Sequence, residues 1–398
     1  MLGFVGLDIA KDTFTVCFLL VENGGQVNSQ TTQTFTADQP GWQAFLSVWQ
    51  QMPAETWHIG LESSGPYTRL FLHHLQTLPY SVYLLSPLQV QHFRRSRSLR
   101  KAKTDRIDAE SIAVWLHSMW QENNLPRVAR PRSALRDLAY LYNQLTQELT
   151  RVQNRFRQVL HVLFPELERT QTRFPKTLRH LLSAYPSAQR IAQAPLDALD
   201  ALLSHGRGQR LALSAQTLQA LAATSWGLED AVAVAHLQHL LALWDDLETR
   251  REAVFHSLRQ AVQQQFPQAW QLLRAIPGLG ERLVALFLAL VDNPQRFSSA
   301  KSLVAFAGLD PSVYQSGNFQ GHGRLSKRGL PLLRHVLFLM AQALVRYTNR
   351  FRQAFQHYRE QGRSYREAMV IVARKALHVL YSLLLRQVPF QDLPASST

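Results

Sequence analysis

Leu135, Leu138, Tyr142, Leu145, Leu149, Val152, Phe156, Val159 and Leu163 recur at alternating spacings of three and four over four heptads. A chain with that run is committed to one long helix whose apolar stripe needs a partner along its whole length. A second, weaker run passes through Leu237, Leu240, Trp244, Leu247, Val254 and Leu258, with Arg251 falling on its seam. The two runs can pair within one chain as an antiparallel hairpin or between chains as a dimer interface, and spacing does not choose. Between them, residues 165–227 hold several prolines and Ala/Leu-rich helical pieces broken at Gly206-Arg207-Gly208. That stretch reads as an inserted helical subdomain without chemistry of its own.

Ahead of the heptads the pattern is different. Leu2 to Asp8 is apolar, Thr13 to Val21 is β-branched and aromatic, and Glu22-Asn23-Gly24-Gly25 is a turn before Gln26 to Phe35, which predicts a three-stranded meander. A helical pattern from Gln39 to Gln51, a strand from Trp57 to Glu62, a helix from Tyr67 to Leu78 and an apolar strand from Val82 to Leu85 follow. Alternating strands and helices argue for a mixed sheet covered by helices, so the chain reads as an α/β domain followed by an all-α remainder. The expected divisions are 1–125 for the sheet domain, 130–265 for the coiled-coil region with its insertion, and 270–390 for a helical C-terminal domain.

A length of 398 residues fits two or three domains, and 46% hydrophobic against 18% charged residues excludes wholesale disorder. The single Cys17 can close no intramolecular disulfide and can build no cysteine-based zinc site, which fits a reducing cytosol. The apolar start lacks a basic n-region and does not read as a signal peptide. The longest apolar run, Leu283 to Val291, is far short of the roughly 20 residues that span a bilayer, so no membrane segment is expected. Charge is more telling: the chain carries +15, and residues 274–386 alone, with seventeen Lys/Arg against five Asp/Glu, supply +12 of it. Residues 1–120 are neutral, with nine bases and nine acids, and seven of those bases lie between Arg94 and Arg106. A polyphosphate partner, DNA or RNA, gains most from such an excess through counterion release.

Within the neutral third, four carboxylates stand at element ends. Asp8 closes the first strand in GLDIAKD, Glu62 closes a later one in IGLESSGPY, and Asp105 and Asp108 open a helix in KAKTDRIDAE. Spacing of i and i+3 puts the last two on one helix face. Each acid alone reads as well as a cap or a dipole-favoured residue, and Asp12 reads as a turn residue. The four together repel unless a divalent cation such as Mg²⁺ or Mn²⁺ joins them, and the chemistry then expected is phosphodiester activation. The order strand-Asp, strand-Glu, helix-Asp-x-x-Asp resembles a ribonuclease-H-like nuclease fold of the RuvC resolvase type. The run FRRSRSLRKAKTDR just before the acidic helix supplies Arg94, Arg95, Arg97, Arg100, Lys101 and Lys103, placed to hold a nucleic-acid backbone against the acids or simply to solvate a loop.

In the cationic part, LLRAIPGLGERLVALFLALV joins two apolar helical runs through Pro277-Gly278-Leu279-Gly280 and resembles a helix-hairpin-helix element. Gly278 and Gly280 would let backbone N–H groups approach a phosphate, with the following helix N-terminus favouring the anion; a tight turn without ligand is the alternative. Downstream, FAGLDPSVYQSGNFQGHGRLSKRG reads as a glycine-rich loop before a helix from Leu332 to Tyr347. Ser316 in this loop is a candidate nucleophile only if something activates it, and no His-Asp pair of readable spacing does so; His322 reads as a loop residue. Arg324, Lys327 and Arg328 are placed either to stabilise a phosphorane or to bind backbone phosphate.

Taken in order, GLDIAKD, IGLESSGPY, KTDRIDAE, AIPGLGE and FAGLDPSVYQSGNFQGHGRLSKRGLPLLR resemble the transposases of the "IS one-ten" insertion-sequence family, to which the pilin-gene invertase Piv also belongs. The resemblance covers both ends of the chain and leaves out residues 165–227 and the C-terminal tail. It implies a RuvC-like domain whose acidic tetrad is Asp8, Glu62, Asp105 and Asp108 around Mg²⁺, and a transposase domain whose nucleophile is Ser316. It further implies a homo-oligomeric recombinase, dimer or tetramer, whose composite site forms between domains of different subunits. A structured bridge RNA would pair with donor and target DNA. The residues alone also fit a metal-dependent, structure-selective nuclease in which Ser316 only shapes a loop, or a nucleic-acid scaffold without catalysis.

Overall fold

The computed structural model describes residues 1–394 other than 23, 64, 98–103, 127, 130–132, 205–213, 313–314, 317–318 and 321–323, with the backbone alone at 66, 97, 204 and the strand residues from 311 to 324. The chain divides into two compact units, Met1–Arg132 and Ser133–Thr398.

In the first unit, β1 (Leu2–Ile9), β2 (Thr13–Val21) and β3 (Val27–Thr36) form the expected antiparallel meander. Then come α1 (Gln39–Gln50), β4 (Thr56–Glu62), α2 (Pro66–Leu75), β5 (Ser81–Leu85), α3 (Pro87–Arg97) and α4 (Asp105–Gln121). The sheet order is β3-β2-β1-β4-β5, with β4 parallel to β1 and β5 parallel to β4. The sheet is mixed, as the alternation of elements predicts. Period-2 alternation divides its side chains between two cores. Val5, Leu7 and Ile9 meet Phe45, Trp49, Phe71 and Leu75 of α1 and α2, whereas Phe4, Cys17, Leu19 and Leu85 meet Ala109, Ile112 and Leu116 of α4.

Two glycines decide how closely α4 sits. Gly6 and Gly60 face each other in register on β1 and β4. A Cβ on Gly6 would lie 2.1 Å from the Ala109 carbonyl oxygen and 2.6 Å from the Ala113 nitrogen, and one on Gly60 would lie 2.7 Å from Leu116. The helix backbone therefore rests on the strand backbone at Gly6, and its Ile112 and Leu116 side chains fill the space over Gly60. Cys17, buried under the same helix, has its thiol pushed up to about 11 by desolvation, so it is an inert core residue.

Among its described residues, the second unit is helical except for one small ribbon. α5 (Ala134–Leu163) realises the heptad run, and α6 (Pro165–Thr170), α7 (Lys176–Ala184), α8 (Ala188–Gln193), α9 (Leu196–Ser204) and α10 (Ala215–Ala223) make up the insertion. The expected break at residues 206–208 lies outside the described residues. α11 (Ala231–Gln265) carries the second run. Leu149, Val152, Phe156 and Leu160 share a core with Leu237, Leu240, Trp244 and Leu247, while Leu135, Ala139 and Tyr142 share another with Phe255, Leu258 and Val262. Early α5 meets late α11, so the pair is an antiparallel hairpin within one chain. α6–α10 pack on the core nearer the turn of this hairpin, where the buried Arg179 donates to Glu248 at 2.7 Å and stacks 4.6 Å over Trp244.

α12 (Pro267–Arg274), α13 (Glu281–Val291), α14 (Ala300–Ala307), α15 (Pro331–Tyr347), α16 (Asn349–Glu360) and α17 (Tyr365–Arg386) complete the other core. Four two-residue strands, β6 (Pro311–Ser312), β7 (Gln315–Ser316), β8 (Phe319–Gln320) and β9 (Arg324–Leu325), lie between α14 and α15. β7 pairs β8 inside the β6–β9 pair, so the segment that reads as a glycine-rich loop is a nested antiparallel ribbon. α17 also departs from expectation: among the described residues it is long and apolar enough to cross a membrane. Its Met369, Val372, Leu377 and Leu380 are buried against the rest of the unit, as a core helix requires.

Substituting Gly6 by alanine is expected to lower stability by about 1–3 kcal/mol or more through overpacking against helix backbone, whereas Gly24→Ala, whose Cβ meets nothing within 4 Å, stays close to wild type; urea denaturation midpoints compare them. A pH dependence follows from the rings flanking Phe4, whose centroid lies 5.3 Å from His58 and 5.2 Å from His117. Burial holds both histidines below the ordinary value of 6.5, so the unfolded chain takes protons first. Their contribution is full above pH 6.5 and is lost as pH falls through the lowered values. The melting temperature should drop between pH 7 and pH 5, and less steeply in the His58→Gln/His117→Gln variant.

Candidate active site

β1 is the strand at which the sheet order reverses, with β2 on one side and β4 on the other. In open α/β sheets, ligands collect outside the carboxyl ends of strands at such a switch point. Asp8 and Glu62 stand there: each follows by one residue the last β1–β4 pair, Leu7 opposite Leu61. Both lie two residues beyond a glycine that touches α4, so alternation puts both on the α4 face. Opposite Asp8 on β2 is Thr15, buried and joined to Thr34 by a hydroxyl contact of 2.9 Å. The chain after Glu62 is fixed by the Ser63 N–H donating to the Leu85 carbonyl at 3.0 Å, and by the Thr68 hydroxyl donating to the Glu62 carbonyl at 3.2 Å.

α4 runs along this face with Ala109 and Ala113 over Gly6 and with His117 beside Phe4. Its N-terminal turn therefore lies toward the end that carries Asp8 and Glu62. Thr104 caps the helix, accepting from the Ile107 N–H at 3.2 Å, so neither Asp105 nor Asp108 is needed as the cap. Asp105 is exposed. Asp108 is buried to 6% exposure and takes an ion pair from Arg94 of α3. A buried carboxylate needs a counter-charge, and here a guanidinium supplies it. Glu110, which the spacing does not single out, accepts from Thr32 at 3.0 Å and pairs with Arg106 at 2.9 Å.

The acids thus share one end of one sheet face, and their all-oxygen donors suit a hard divalent cation. Among the described residues, no group of three or more His, Cys, Asp or Glu is placed to hold one metal ion. Arg94 occupies Asp108 instead. The pair joins residues fourteen apart on two helices, so no local spacing rule could have found it. Of the other bases in this run, Arg95 is exposed, the side chain of Arg97 is undescribed, and Arg100, Lys101 and Lys103 lie outside the described residues.

In the second unit, the turn between α12 and α13 has Gly278 in the left-handed region at φ +85°, where a Cβ would also lie 2.5 Å from the ring of Tyr347. Arg274 closes the turn by donating to the Leu279 carbonyl. Gly280 is the N-cap of α13 without a side-chain cap, and the space beside it is open. The first turn of α13 is tied down by Glu281 to Arg259 at 3.0 Å and by Arg282 to Glu252 at 2.7 Å.

Ser316 lies in β7, paired with Phe319 on β8. Its side chain and that of Arg324 are undescribed, and His322 lies outside the described residues. The foot of the ribbon is firmly built. Ser326 donates from its N–H to the Asp310 carbonyl at 2.9 Å and from its hydroxyl to the Asp310 carboxylate at 2.5 Å. Gly308 at φ +67° lets the chain reverse against Gly329, and Arg334 donates to the Ala307 carbonyl at 3.2 Å. Lys327 and Arg328, just beyond β9, are exposed.

Comparison with known proteins supplies the remaining constraint. Residues 5–165 match a profile described as a transposase, the DEDD type of IS110, and residues 270–356 match one described as "Transposase IS116/IS110/IS902 family". Between them the two cover well over half of the chain, including all four acids and Ser316. The pilin gene-inverting protein of Moraxella lacunata is 24% identical over 97% of both chains. The 43.6 kDa protein of insertion element IS110 from Streptomyces coelicolor is 29% identical over 71% of each. The transposase for insertion sequence element IS1111A of Coxiella burnetii is 30% identical over a shorter stretch, 30% of this chain and 34% of that one. With both profiles in the expected order on a chain of this charge and topology, the protein belongs to the IS110 family of insertion-sequence transposases and is a DNA recombinase.

Proposed function

We propose that this transposase cuts and rejoins DNA through a covalent serine-phosphate intermediate formed on Ser316, with the acidic tetrad Asp8, Glu62, Asp105 and Asp108 as the metal-binding half of its machinery. The observation that carries the reading is the shared placement of Asp8, Glu62 and the first turn of α4 at one end of one sheet face. The 3-2-1-4-5 strand order, with an antiparallel meander followed by two parallel strands, supports an RNase H-like assignment of the first unit.

The step itself balances simply. The Ser316 hydroxyl attacks a DNA phosphorus, the bond from that phosphorus to the neighbouring deoxyribose oxygen breaks, and the proton leaving serine ends on the departing alkoxide. The strand is then held as a phosphodiester of serine until another deoxyribose hydroxyl reverses the exchange. When bound, Mg²⁺ or Mn²⁺ would supply charge neutralisation and activation of the phosphodiester. Asp8, Glu62, Asp105 and Asp108 would hold the ion, with Asp108 exchanging Arg94 for it. Lys327, Arg328, Arg95 and the open N-terminus of α13 are the groups offered to backbone phosphate. Guidance by a structured RNA, and an oligomer whose subunits share the reaction, are carried over from the family resemblance.

Incubation of the protein with guide RNA and element-end DNA should yield a protein–DNA adduct that maps to Ser316 by mass spectrometry. Ser316→Ala and Asp105→Asn should each abolish it. Strand exchange by Ser316→Ala would remove the serine from the mechanism and leave a metal-dependent nuclease. A second test needs no turnover. Mn²⁺ is expected to raise the melting temperature of the wild-type protein and to leave that of Asp8→Asn/Glu62→Gln unmoved; equal shifts in both would place the ion elsewhere.

A further inference from the structure

At the foot of the ribbon, between α15 and α17, the second unit holds a cleft of about 430 Å³, within the ~300–1,000 Å³ of small-ligand pockets. Its rim carries Lys327, Arg334, His335 and Arg366, and its floor is apolar, built by Leu309, Leu325, Phe338 and Val370. No acid lines it. Among the described residues, none of Lys327, Arg334 and Arg366 is in an ion pair, Arg334 being fixed instead by its bond to the Ala307 carbonyl. Phe338 is partly buried and stacks on no other ring among the described residues. Lys327 is held in the left-handed region at φ +54°, a conformation that costs a residue with a Cβ and that clusters at functional sites.

Cations over an apolar floor with an unstacked aromatic ring match one ligand chemistry, a flat apolar ring that carries a phosphate. An acidic peptide would satisfy the rim and waste the floor, whereas a base-paired duplex would present phosphates with its bases already stacked. We propose that this cleft takes one unpaired nucleotide of a single strand, the base lying against Phe338 and its phosphate reaching Lys327, Arg334 and Arg366. The proposal rests on the recombinase reading only in that the chain handles nucleic acid, and it does not need Ser316 to react. It places a strand-holding site at the root of the ribbon that bears the serine. Such a site would position an extruded base of DNA or an unpaired base of RNA, which share this chemistry.

The test compares a fluorescent 12-nucleotide strand of natural bases with a same-length strand of abasic sites, as DNA and as RNA, by anisotropy on the full-length protein at fixed salt. Wild type is expected to prefer the base-containing strand on the order of tenfold. Phe338→Leu, which keeps apolar bulk and discards the aromatic face, should erase that preference. Arg366→Gln, exposed and therefore harmless to the fold, should weaken both strands alike and flatten the salt dependence by about 0.7 in log–log slope. A strand carrying 5-iodouracil should crosslink to the peptide containing Phe338. An unchanged preference in Phe338→Leu, crosslinks only elsewhere, or full displacement by micromolar adenosine monophosphate would overturn the proposal. Ser316→Ala should bind as wild type does, so loss of the covalent adduct removes the serine chemistry and leaves this measurement intact.

Discussion

The antiparallel seam between α5 and α11 is the constraint on which the larger unit depends. Each Leu, Val or Phe buried along it contributes roughly 1.5–3 kcal/mol, and its two ends nucleate different cores. One end gathers the insertion around Phe156 and Trp244, and the other gathers the transposase helices around Leu258 and Val262. Arg251 stands where the two cores part, half-buried and paired with Glu252 at 3.2 Å. The heptad break at Arg251 is thus the join between two hydrophobic bodies strung on one helical hairpin. An apolar residue there would fuse the cores and blur that division.

In the smaller unit the equivalent constraint is a bare contact of backbone on backbone. Because Gly6 carries no side chain, the backbone of α4 settles directly on β1, while Gly60 leaves room on β4 for the Ile112 and Leu116 side chains, and the first turn of α4 comes to the end of the sheet where those strands finish. Any larger residue at either glycine would lift the helix and separate Asp108 from the strand-end acids. The same geometry explains Arg94. Seating α4 this deeply buries Asp108, and a buried carboxylate without a cation is costly, so α3 delivers one. Arg94 answers that electrostatic problem in this fold, and in the proposed metal-bound state a divalent cation would answer it in the guanidinium's place.

Most of the sheet was legible because its strands obey a period of two with turn residues between them; β2 runs over Thr13–Val21, as its β-branched and aromatic composition predicts. The heptads announced α5 for the same kind of reason, a local rule repeated many times. What spacing could not announce was partnership. Whether α5 meets α11 of its own chain is a long-range fact, and so is the meeting of Arg94 with Asp108. α3 escaped notice because Pro87–Arg97 is too polar to show a helical stripe, its bases reading as a solvated run. The ribbon escaped because glycine-rich sequence signals a turn, and strands of two residues are shorter than any periodicity can register. α17 was hidden in another way: Arg374 and Lys375 interrupt its apolar run, so a search for unbroken hydrophobicity passes over it.

The distribution of charge gains meaning from where these features fall. The first unit, neutral over residues 1–120, concentrates acids at one sheet end, which repels a polyanion unless cations intervene. The second unit carries the excess positive charge and sets part of it round the foot of a ribbon. That foot is held by the Asp310–Ser326 bonds, the Gly308–Gly329 contact and the Arg334 bond to Ala307, so Arg334 is the fixed cation among those that rim the proposed strand site. Pre-organised charge of this kind costs little reordering at the moment of reaction. In the proposed mechanism, where cut ends are held for later rejoining, a backbone grip of this kind would serve whichever strand is being exchanged, because affinity for phosphate does not depend on sequence.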